Sequence, residues 1–300
     1  MILTVTPNPA VDQTVRLDDT LSADGVNRSS DTRFDAGGKG VNVAKYLAAL
    51  DTDTVASGIV GGFLGEYVER ELDAAGVAND FVATDGLTRL NTTILDAADE
   101  YKVNQTGPRV AATAVDELVE TVRRHDPDTV LVGGSLPPGF DGDDLDRLAT
   151  AGDWRTAVDT GGERLAELAA DYDLCKPNRG ELADATGLPT GTVEECAVAA
   201  EELRESGFTT VVASLGSDGA VLATEGSVYH APALGVEVTD TVGAGDALLA
   251  GVLAALDRGA SGPDALAAGV ATTARVVQVA GTAPPSFTDR RAEQVEASSV

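Results

Sequence analysis

The chain has 300 residues, of which 49 are acidic and 21 basic, so its formal net charge is −28. This charge excludes nucleic acid and anionic membranes as default partners, because both repel so acidic a surface. The hydrophobic fraction of 43% is too high for a disordered acidic chain. Because acids dominate and lysine occurs only four times, we expect adaptation to high salt, which screens the repulsion between carboxylates.

No apolar run reaches the length of about 18 residues that a membrane span needs, and residues 1–5 match a strand better than a targeting leader. We therefore expect a cytoplasmic protein. Two cysteines and two histidines are too few and too scattered for a disulfide framework or a zinc site.

Short apolar segments alternate with helical patterns along most of the chain. This alternation predicts one α/β domain over residues 1–300, with a mainly parallel sheet covered on both faces and ligands at the carboxyl ends of its strands. The predicted strands are 1–5, 54–57, 129–132, 156–159, 173–175 and 209–213. The predicted helices are 39–50, 65–76, 114–125, 145–151, 193–206, 244–257 and 264–279.

Two regions depart from this alternation. Segments 11–17 and 26–34 alternate polar and apolar residues, and 89–96 with 101–105 match a hairpin that turns at 97–100. These segments predict a small antiparallel sheet, formed by about residues 11–35 and 88–106, that lies as a lid over the ligand site. Beyond Pro284 we expect a short terminal helix with frayed ends.

The segment 240–246, Asp-Thr-Val-Gly-Ala-Gly-Asp, leads directly into an apolar helix. The amides of Gly243, Ala244 and Gly245 at such a helix start converge on one point, and the helix dipole makes that point favourable for an anion. Asp246 then lies where another anion should bind, which suggests a base for a hydroxyl that attacks a phosphoryl group. The alternative is an ordinary first-turn Asp that complements the dipole.

A second glycine run at 35–44, Asp-Ala-Gly-Gly-Lys-Gly-Val-Asn-Val-Ala, also leads into a helix. It is not a Walker A loop, which has four residues between its first Gly and the Gly-Lys pair and a Ser or Thr after the Lys. A mononucleotide P-loop is therefore excluded. The presence of two such glycine turns favours the catalytic interpretation of Asp246.

These two segments resemble the signature regions of the ribokinase-like sugar kinases, the phosphofructokinase B family. Further segments similar to family landmarks follow in family order along nearly the whole chain, at 6–12, 61–65, 88–91, 134–139, 176–181 and 214–220. The resemblance implies a three-layer α/β/α fold with a small lid. It also implies a kinase that uses ATP and Mg²⁺, with Asp246 as catalytic base.

The resemblance also implies that the first signature lines a sugar site. Asp12 would accept hydrogen bonds from sugar hydroxyls, Gly37 and Gly38 would allow close backbone approach, and Asn42 would bind another hydroxyl. Ser135 belongs to the same expected set of substrate ligands. Without the family, Asp12 could be a turn-forming acid and Asn42 a solvated first-turn residue.

Three cations are candidates for binding a substrate phosphate. Arg28 and Arg89 lie on predicted lid strands and Lys39 on the glycine turn, so they could form one positive cluster suited to a sugar phosphate. Surface ion pairing is the alternative, and it is favoured for Arg16 and Arg33. The segments around Arg28 and Arg89 are similar to those of the 1-phosphofructokinase and tagatose-6-phosphate kinase branch. Because lysine is so scarce, each of the four lysines is a candidate for a functional role, although Lys45 and Lys102 can also be plain exposed residues.

The segment 176–181, Lys-Pro-Asn-Arg-Gly-Glu, resembles the family's Asn-x-x-Glu region. The resemblance implies that Asn178 and Glu181 influence Mg²⁺, mainly through water, which suits an ion that retains most of its waters. The same two residues could form a capping box at a helix start, and both interpretations can hold. By resemblance, nucleotide contacts are expected from Lys176, Asn178, Ser214, Gly216, Gly219, Thr239, Gly243, Gly245 and Gly281.

The branch resemblance implies an ATP-dependent kinase of a ketose phosphate, with fructose 1-phosphate converted to fructose 1,6-bisphosphate as the first choice. Tagatose 6-phosphate, fructose 6-phosphate, free fructose and ketodeoxy-sugar acids stay open as acceptors. A non-catalytic sugar or nucleotide sensor is the alternative from another class, and the intact Gly-Ala-Gly-Asp sequence favours the enzyme. We expect a homodimer through the lids, because the edges of a small sheet need covering.

Overall fold

The computed structural model describes residues 1–287 and 295–300. Its strands are β1 (Ile2–Thr6), β2 (Ala10–Leu17), β3 (Ser29–Gly37), β4 (Thr54–Val60), β5 (Ala78–Asn79), β6 (Val82–Ala83), β7 (Arg89–Leu95), β8 (Glu100–Val103), β9 (Thr129–Gly133), β10 (Arg155–Asp159), β11 (Tyr172–Cys175), β12 (Phe208–Ser214), β13 (Ala220–Thr224), β14 (Ser227–Ala231) and β15 (Ser298–Ser299). Its helices are α1 (Lys39–Ala49), α2 (Gly62–Ala74), α3 (Ala112–His125), α4 (Gly142–Thr150), α5 (Gly162–Glu167), α6 (Arg179–Thr186), α7 (Val193–Glu205), α8 (Ala244–Asp257) and α9 (Gly262–Val276).

The larger sheet has the strand order β15-β14-β13-β12-β11-β10-β9-β1-β4-β5, with β6 also beside β4. All pairings from β12 to β5 are parallel, which confirms the predicted mainly parallel sheet. Every residue of β1 and β4 is buried, as expected for strands covered on both faces. The antiparallel edge of β13, β14 and β15 was not among the predicted strands.

Helices cover both faces of this sheet. Ile2 and Leu131 point into a core with helices α1, α8 and α9, whereas their neighbours Leu3 and Val130 point into a core with α3 and α4. This division follows from the alternation of side chains along a strand. The result is the expected three-layer α/β/α arrangement.

The second sheet has the order β3-β2-β7-β8 and comes from the segments predicted to form the lid. The β2–β3 and β7–β8 pairs are antiparallel as predicted, but the middle pair, β2–β7, is parallel. A parallel pair needs a long crossover, and the chain from β3 to β6 supplies one here. Strand β3 begins at Ser29, so Arg28 lies outside the strand on which it was predicted.

The helix predictions hold with shifts of a few residues, except that α5 was missed and α6 was anticipated only as a capping box. Of the tail beyond Pro284, where a terminal helix is predicted, residues 288–294 lie outside the described residues. The described residues 285–287 and 295–300 are not helical, and Ser298–Ser299 pairs with β14. Within residues 1–287 and 295–300, no helix combines the length and the apolar character needed to cross a bilayer.

Candidate active site

Asp246 lies in the first turn of α8, where its side chain is only 9% exposed. The helix begins after Gly243, whose φ of 76° favours glycine, and a Cβ there would lie 2.5 Å from the Tyr46 hydroxyl. Across from this turn, the Asn42 side-chain amide of α1 donates to Asp246 Oδ2 over 2.8 Å. The two glycine signatures, about 200 residues apart in the chain, therefore meet at the Asp246 carboxylate.

The environment of Asp246 raises its pKa to about 6. Burial is the main cause, and the nearby Asp159 carboxylate adds to it. The hydrogen bond from Asn42 and the charges of Lys176 and Lys39 act in the opposite direction. A carboxylate with this pKa is ionised at neutral pH and basic enough to accept a proton from a hydroxyl.

The start of α8 carries the groups from which the sequence predicts an anion site. The amides of Gly243, Ala244 and Gly245 are at the helix N-terminus, although the Ala244 amide also donates to the Thr241 carbonyl over 3.2 Å. A Cβ on Gly245 would lie 3.3 Å from Lys176 Nζ, so the Lys176 ammonium is next to this turn. Amides and ammonium together favour an anion beside Asp246.

Asp159 is a charged site residue that the sequence analysis missed. It ends β10, is fully buried, and accepts from Lys39 Nζ over 2.7 Å while Lys176 Nζ lies 3.3 Å from its other oxygen. Burial alone would lower the pKa of Lys39, but Asp159 and Glu181 outweigh it and raise that pKa. A carboxylate at the carboxyl end of an apolar strand was the available signal.

Asp12, on strand β2 of the lid, lies among polar groups. The Asn91 side-chain amide donates to Asp12 Oδ1 over 2.8 Å, and a Cβ on Gly37 would lie only 1.9 Å from Asp12 Oδ2. Burial raises the pKa of Asp12. The side-chain oxygens of Asn42 and Asn91 are buried and have no hydrogen-bond partner among the described residues. Unsatisfied acceptors of this kind suit the hydroxyls of a sugar.

Arg89 and Ser135 lie on two sides of Asn8. Arg89 Nε donates to the Asn8 carbonyl over 3.1 Å, and the Asn8 side-chain amide donates to Ser135 Oγ over 3.2 Å. Thr106, from the segment after the lid, accepts from the same Asn8 amide over 2.9 Å. Arg89 and Ser135 thus belong to one neighbourhood at the inner end of the lid.

The three predicted cations do not form one cluster within the chain. Ala10 pairs with Arg89 at one end of β2 and Leu17 with Ser29 at the other, so Arg28 and Arg89 are about 23 Å apart along the strand direction. Arg28 is exposed, and Lys39 is directed toward Asp159. The strand register, which the sequence pattern did not reveal, separates them.

A cavity of about 530 Å³ adjoins the start of α8 and combines apolar side chains with a few polar and backbone groups, as ligand pockets do. Its lining includes the predicted Ser214, Gly216, Gly219, Ala244 and Gly245, with the apolar side chains of Leu234, Val236, Val238, Leu248, Val270 and Val277. Thr239 and Gly281 are not part of the lining. Their amides hold neighbouring loops instead, donating to the Val277 carbonyl (2.7 Å) and to Asp240 Oδ2 (2.9 Å).

Asn178 and Glu181 form the predicted capping box at the start of α6. Asn178 Oδ1 accepts from the Glu181 amide over 2.9 Å, and Glu181 Oε2 accepts from the Asn178 amide over 2.8 Å. Glu181 Oε1 also lies 3.4 Å from Lys39 Nζ. Their oxygens are thus largely engaged by protein donors.

Lys45 is not the plain exposed residue that the sequence analysis left open as an alternative. Its side chain turns from α1 into the protein and is only 8% exposed. It donates to the Ala36 carbonyl and to Thr282 Oγ1. The position falls just outside the glycine signature, so the scarcity of lysine in the chain was the available signal.

Polar side chains around Asp12, amides and an ammonium beside Asp246, and an adjoining apolar cavity form the arrangement that a phosphotransferase acting on an alcohol needs. The family model described as "pfkB family carbohydrate kinase" matches residues 6–289, and the chain belongs to this family. It is 59% identical over 289 residues to a 1-phosphofructokinase of Haloferax volcanii, covering 96% of this chain and 95% of that protein. This relative comes from a halophile, in agreement with the salt-adapted composition.

More distant relatives support the same family assignment. A 1-phosphofructokinase of Bacillus subtilis is 35% identical over 264 residues, covering 86% of each chain. The tetrameric inhibited form of phosphofructokinase-2 from Escherichia coli superposes with a TM-score of 0.86 at 28% identity, covering 92% of this chain and 94% of that one. Fold and family therefore identify a sugar-phosphate kinase with ATP as phosphate donor.

Proposed function

We propose that this kinase phosphorylates fructose 1-phosphate to fructose 1,6-bisphosphate. The observation that carries the proposal is the position of Asp246, which lies in the first turn of α8 beside the amides of its N-terminus and accepts a hydrogen bond from Asn42 of the first glycine signature. The similarity to 1-phosphofructokinases supports the choice of substrate.

In the proposed reaction, the Asp246 carboxylate accepts the proton of the sugar hydroxyl while that oxygen bonds to the γ-phosphorus of ATP. The bond from the γ-phosphorus to its bridging oxygen breaks, and ADP leaves with the electron pair. The amides of Gly243 and Gly245 and the Lys176 ammonium stabilise the negative charge of the transferred group. Asn42 orients Asp246 and keeps a free acceptor oxygen for another hydroxyl.

Arg89 is the candidate for the substrate phosphate, with Ser135 nearby. Arg28 can take part only from a second copy, since it lies at the far end of its own lid. A homodimer through the lids is therefore part of the proposal, and size-exclusion chromatography with light scattering in molar KCl tests it. The cytoplasmic location expected from the sequence stays a prediction.

Mg²⁺ is expected with the nucleotide, and the residues present fit a water-mediated site. Asn178 and Glu181 are oxygen donors, but their mutual cap and the contact with Lys39 favour contact through water over direct ligation. A bound Mg²⁺ would neutralise charge on the ATP phosphates.

The deciding experiment is an acceptor panel at high salt: fructose 1-phosphate, fructose 6-phosphate, tagatose 6-phosphate, fructose and a ketodeoxy-sugar acid, each with ATP. We expect the highest kcat/KM with fructose 1-phosphate and a phosphate on the C6 oxygen of the product by ³¹P NMR. A preference for free fructose would indicate a ketohexokinase. Saturable binding without turnover on any acceptor would indicate a sensor.

A further inference from the structure

Lys45 is a buried cation without an ion-pair partner among the described residues. Its ammonium has two hydrogen-bond acceptors, the Ala36 carbonyl and Thr282 Oγ1, the latter at 3.1 Å. Asp35, Asp12 and Asp246 act on it only from a distance. A buried charge is costly without direct compensation, so a lysine here calls for an explanation beyond packing.

The first partner of Lys45 belongs to the acceptor side of the active site. Ala36 lies in β3, directly before Gly37, whose backbone contacts the Asp12 carboxylate so closely that no side chain fits. A shift of the Ala36 carbonyl would therefore move the backbone that lines the sugar pocket.

The second partner belongs to the donor side. A Cβ on Gly243 would lie 3.5 Å from Thr282 Cγ2, so Thr282 packs against the turn that begins α8. The preceding residue, Gly281, donates its amide to Asp240 Oδ2 over 2.9 Å, just ahead of the same turn. The position of Thr282 is thus linked to that of the phosphate-binding amides.

A second contact joins the same two segments. Arg33 of β3 pairs with Asp35 over 2.7 Å, and a Cβ on Gly281 would lie 2.5 Å from the Arg33 guanidinium. Strand β3 and the 281–282 segment therefore meet at two places. The contact through Lys45 is the buried one of the two, and there the Lys45 side chain reaches both segments from α1.

We propose that Lys45 is a positioning residue that couples the sugar and nucleotide sites, so that binding at one strengthens binding at the other. The inference rests on the proposed kinase function for the identity of the two ligands. Lys45 does so by holding the Ala36 carbonyl and the Thr282 hydroxyl in one arrangement, which orders the sugar pocket and the phosphate turn together. Such coupling is reciprocal, so either ligand can report it.

The test is a binding cycle by isothermal titration calorimetry at high salt. AMP-PNP with Mg²⁺ is titrated with and without saturating fructose 1-phosphate, or with the preferred acceptor if the panel rejects that sugar. In the wild type, we expect the acceptor to lower the Kd of AMP-PNP at least about fivefold. Lys45→Met should reduce this factor to nearly one, while the Kd of each ligand alone changes much less.

Matched variants separate coupling from folding. Lys45→Met removes a buried charge but also two hydrogen bonds, so a melting curve checks that the variant is folded before its coupling is compared with that of the wild type. Thr282→Val, which leaves Lys45 in place, should also reduce the factor, and Thr282→Ser should retain it. Lys102→Met, on the exposed strand β8, is the lysine control. An uncoupled wild type, or full coupling in Lys45→Met, would overturn the inference.

Discussion

Two glycine turns meet in this active site, and each begins a helix without a side-chain cap. Gly38 precedes α1 with φ 118°, and Gly243 precedes α8 with φ 76°. They differ in the charge that follows. Lys39 opens α1, where the dipole disfavours a cation, and Asp246 lies in the first turn of α8, where the dipole favours an anion.

In both turns, tertiary surroundings outweigh the helix dipole. A charge at a helix terminus is stabilised or destabilised by about 0.3–1 kcal/mol. Raising a carboxyl pKa from 3.8 to about 6, as at Asp246, corresponds to roughly 3 kcal/mol. Lys39 is stabilised by Asp159 and Glu181 despite the dipole. Burial and charged partners therefore keep Lys39 at the first turn permanently protonated and make Asp246 at the second turn a titratable base.

The largest effect should come from Asp246→Asn. The amide keeps the shape but cannot accept the proton, so kcat should fall by roughly 10²–10⁴ while AMP-PNP still binds. Turnover close to that of the wild type would remove Asp246 from the mechanism.

Because the pKa of Asp246 is raised in the fold, its stability contribution is present below about pH 4 and lost as the pH rises through about 6. The variant should therefore melt no lower than the wild type at pH 7.

Arg89→Ala tests the acceptor side, next to the first turn. Loss of a charge-assisted contact with the substrate phosphate should lower kcat/KM for fructose 1-phosphate by about 10- to 150-fold. Activity on free fructose, however weak, should hardly change, because it offers no phosphate to the guanidinium. Equal losses on both acceptors would make Arg89 structural, since it also holds the Asn8 carbonyl.

Asn42→Ala breaks the hydrogen bond that joins the two turns. Asp246 must be ionised to act as base, so the kcat of the wild type should decrease as the pH is lowered past about 6. The Asn42 amide stabilises the ionised form, so its loss should move this acidic limb upward by roughly half a pH unit or more. The measurement is a pH profile of kcat, and an unmoved limb would leave Asn42 with sugar binding only.

Salt should affect the surface more than the paired charges of the site. Lowering KCl from above 1 M to 0.1 M lengthens the screening distance from about 3 Å to about 10 Å. The 49 acidic residues then repel one another, and the melting temperature should fall. The buried Lys176–Asp159 pair is screened much less than exposed charges are. An unchanged melting temperature would contradict adaptation to salt.

The local sequence pattern was enough to predict the parallel sheet, most helices and the two glycine signatures. Strands such as β4 and β9 are recognisable in the sequence as short, mostly apolar runs, the pattern of strands buried on both faces. Glycine runs before a helix mark places where backbone amides can bind an anion. The Asn178–Glu181 cap was predicted in the same way, because its spacing is a property of one helix turn. The proposed role of Asp246 rests on such local chemistry together with the family resemblance.

Only the tertiary structure decided which charges meet. The sequence gives Arg28 and Arg89 the same status, as cations on predicted lid strands. The register of β2 nevertheless places them at opposite ends of the lid. Asp159 lies between two lysines because the ends of parallel strands converge, and Lys45 is buried because β3 and the 281–282 segment close over it. Long-range packing sets these contacts, and with them pKa values and ligand contacts, because electrostatic energies depend on distance and burial rather than on neighbours in the chain.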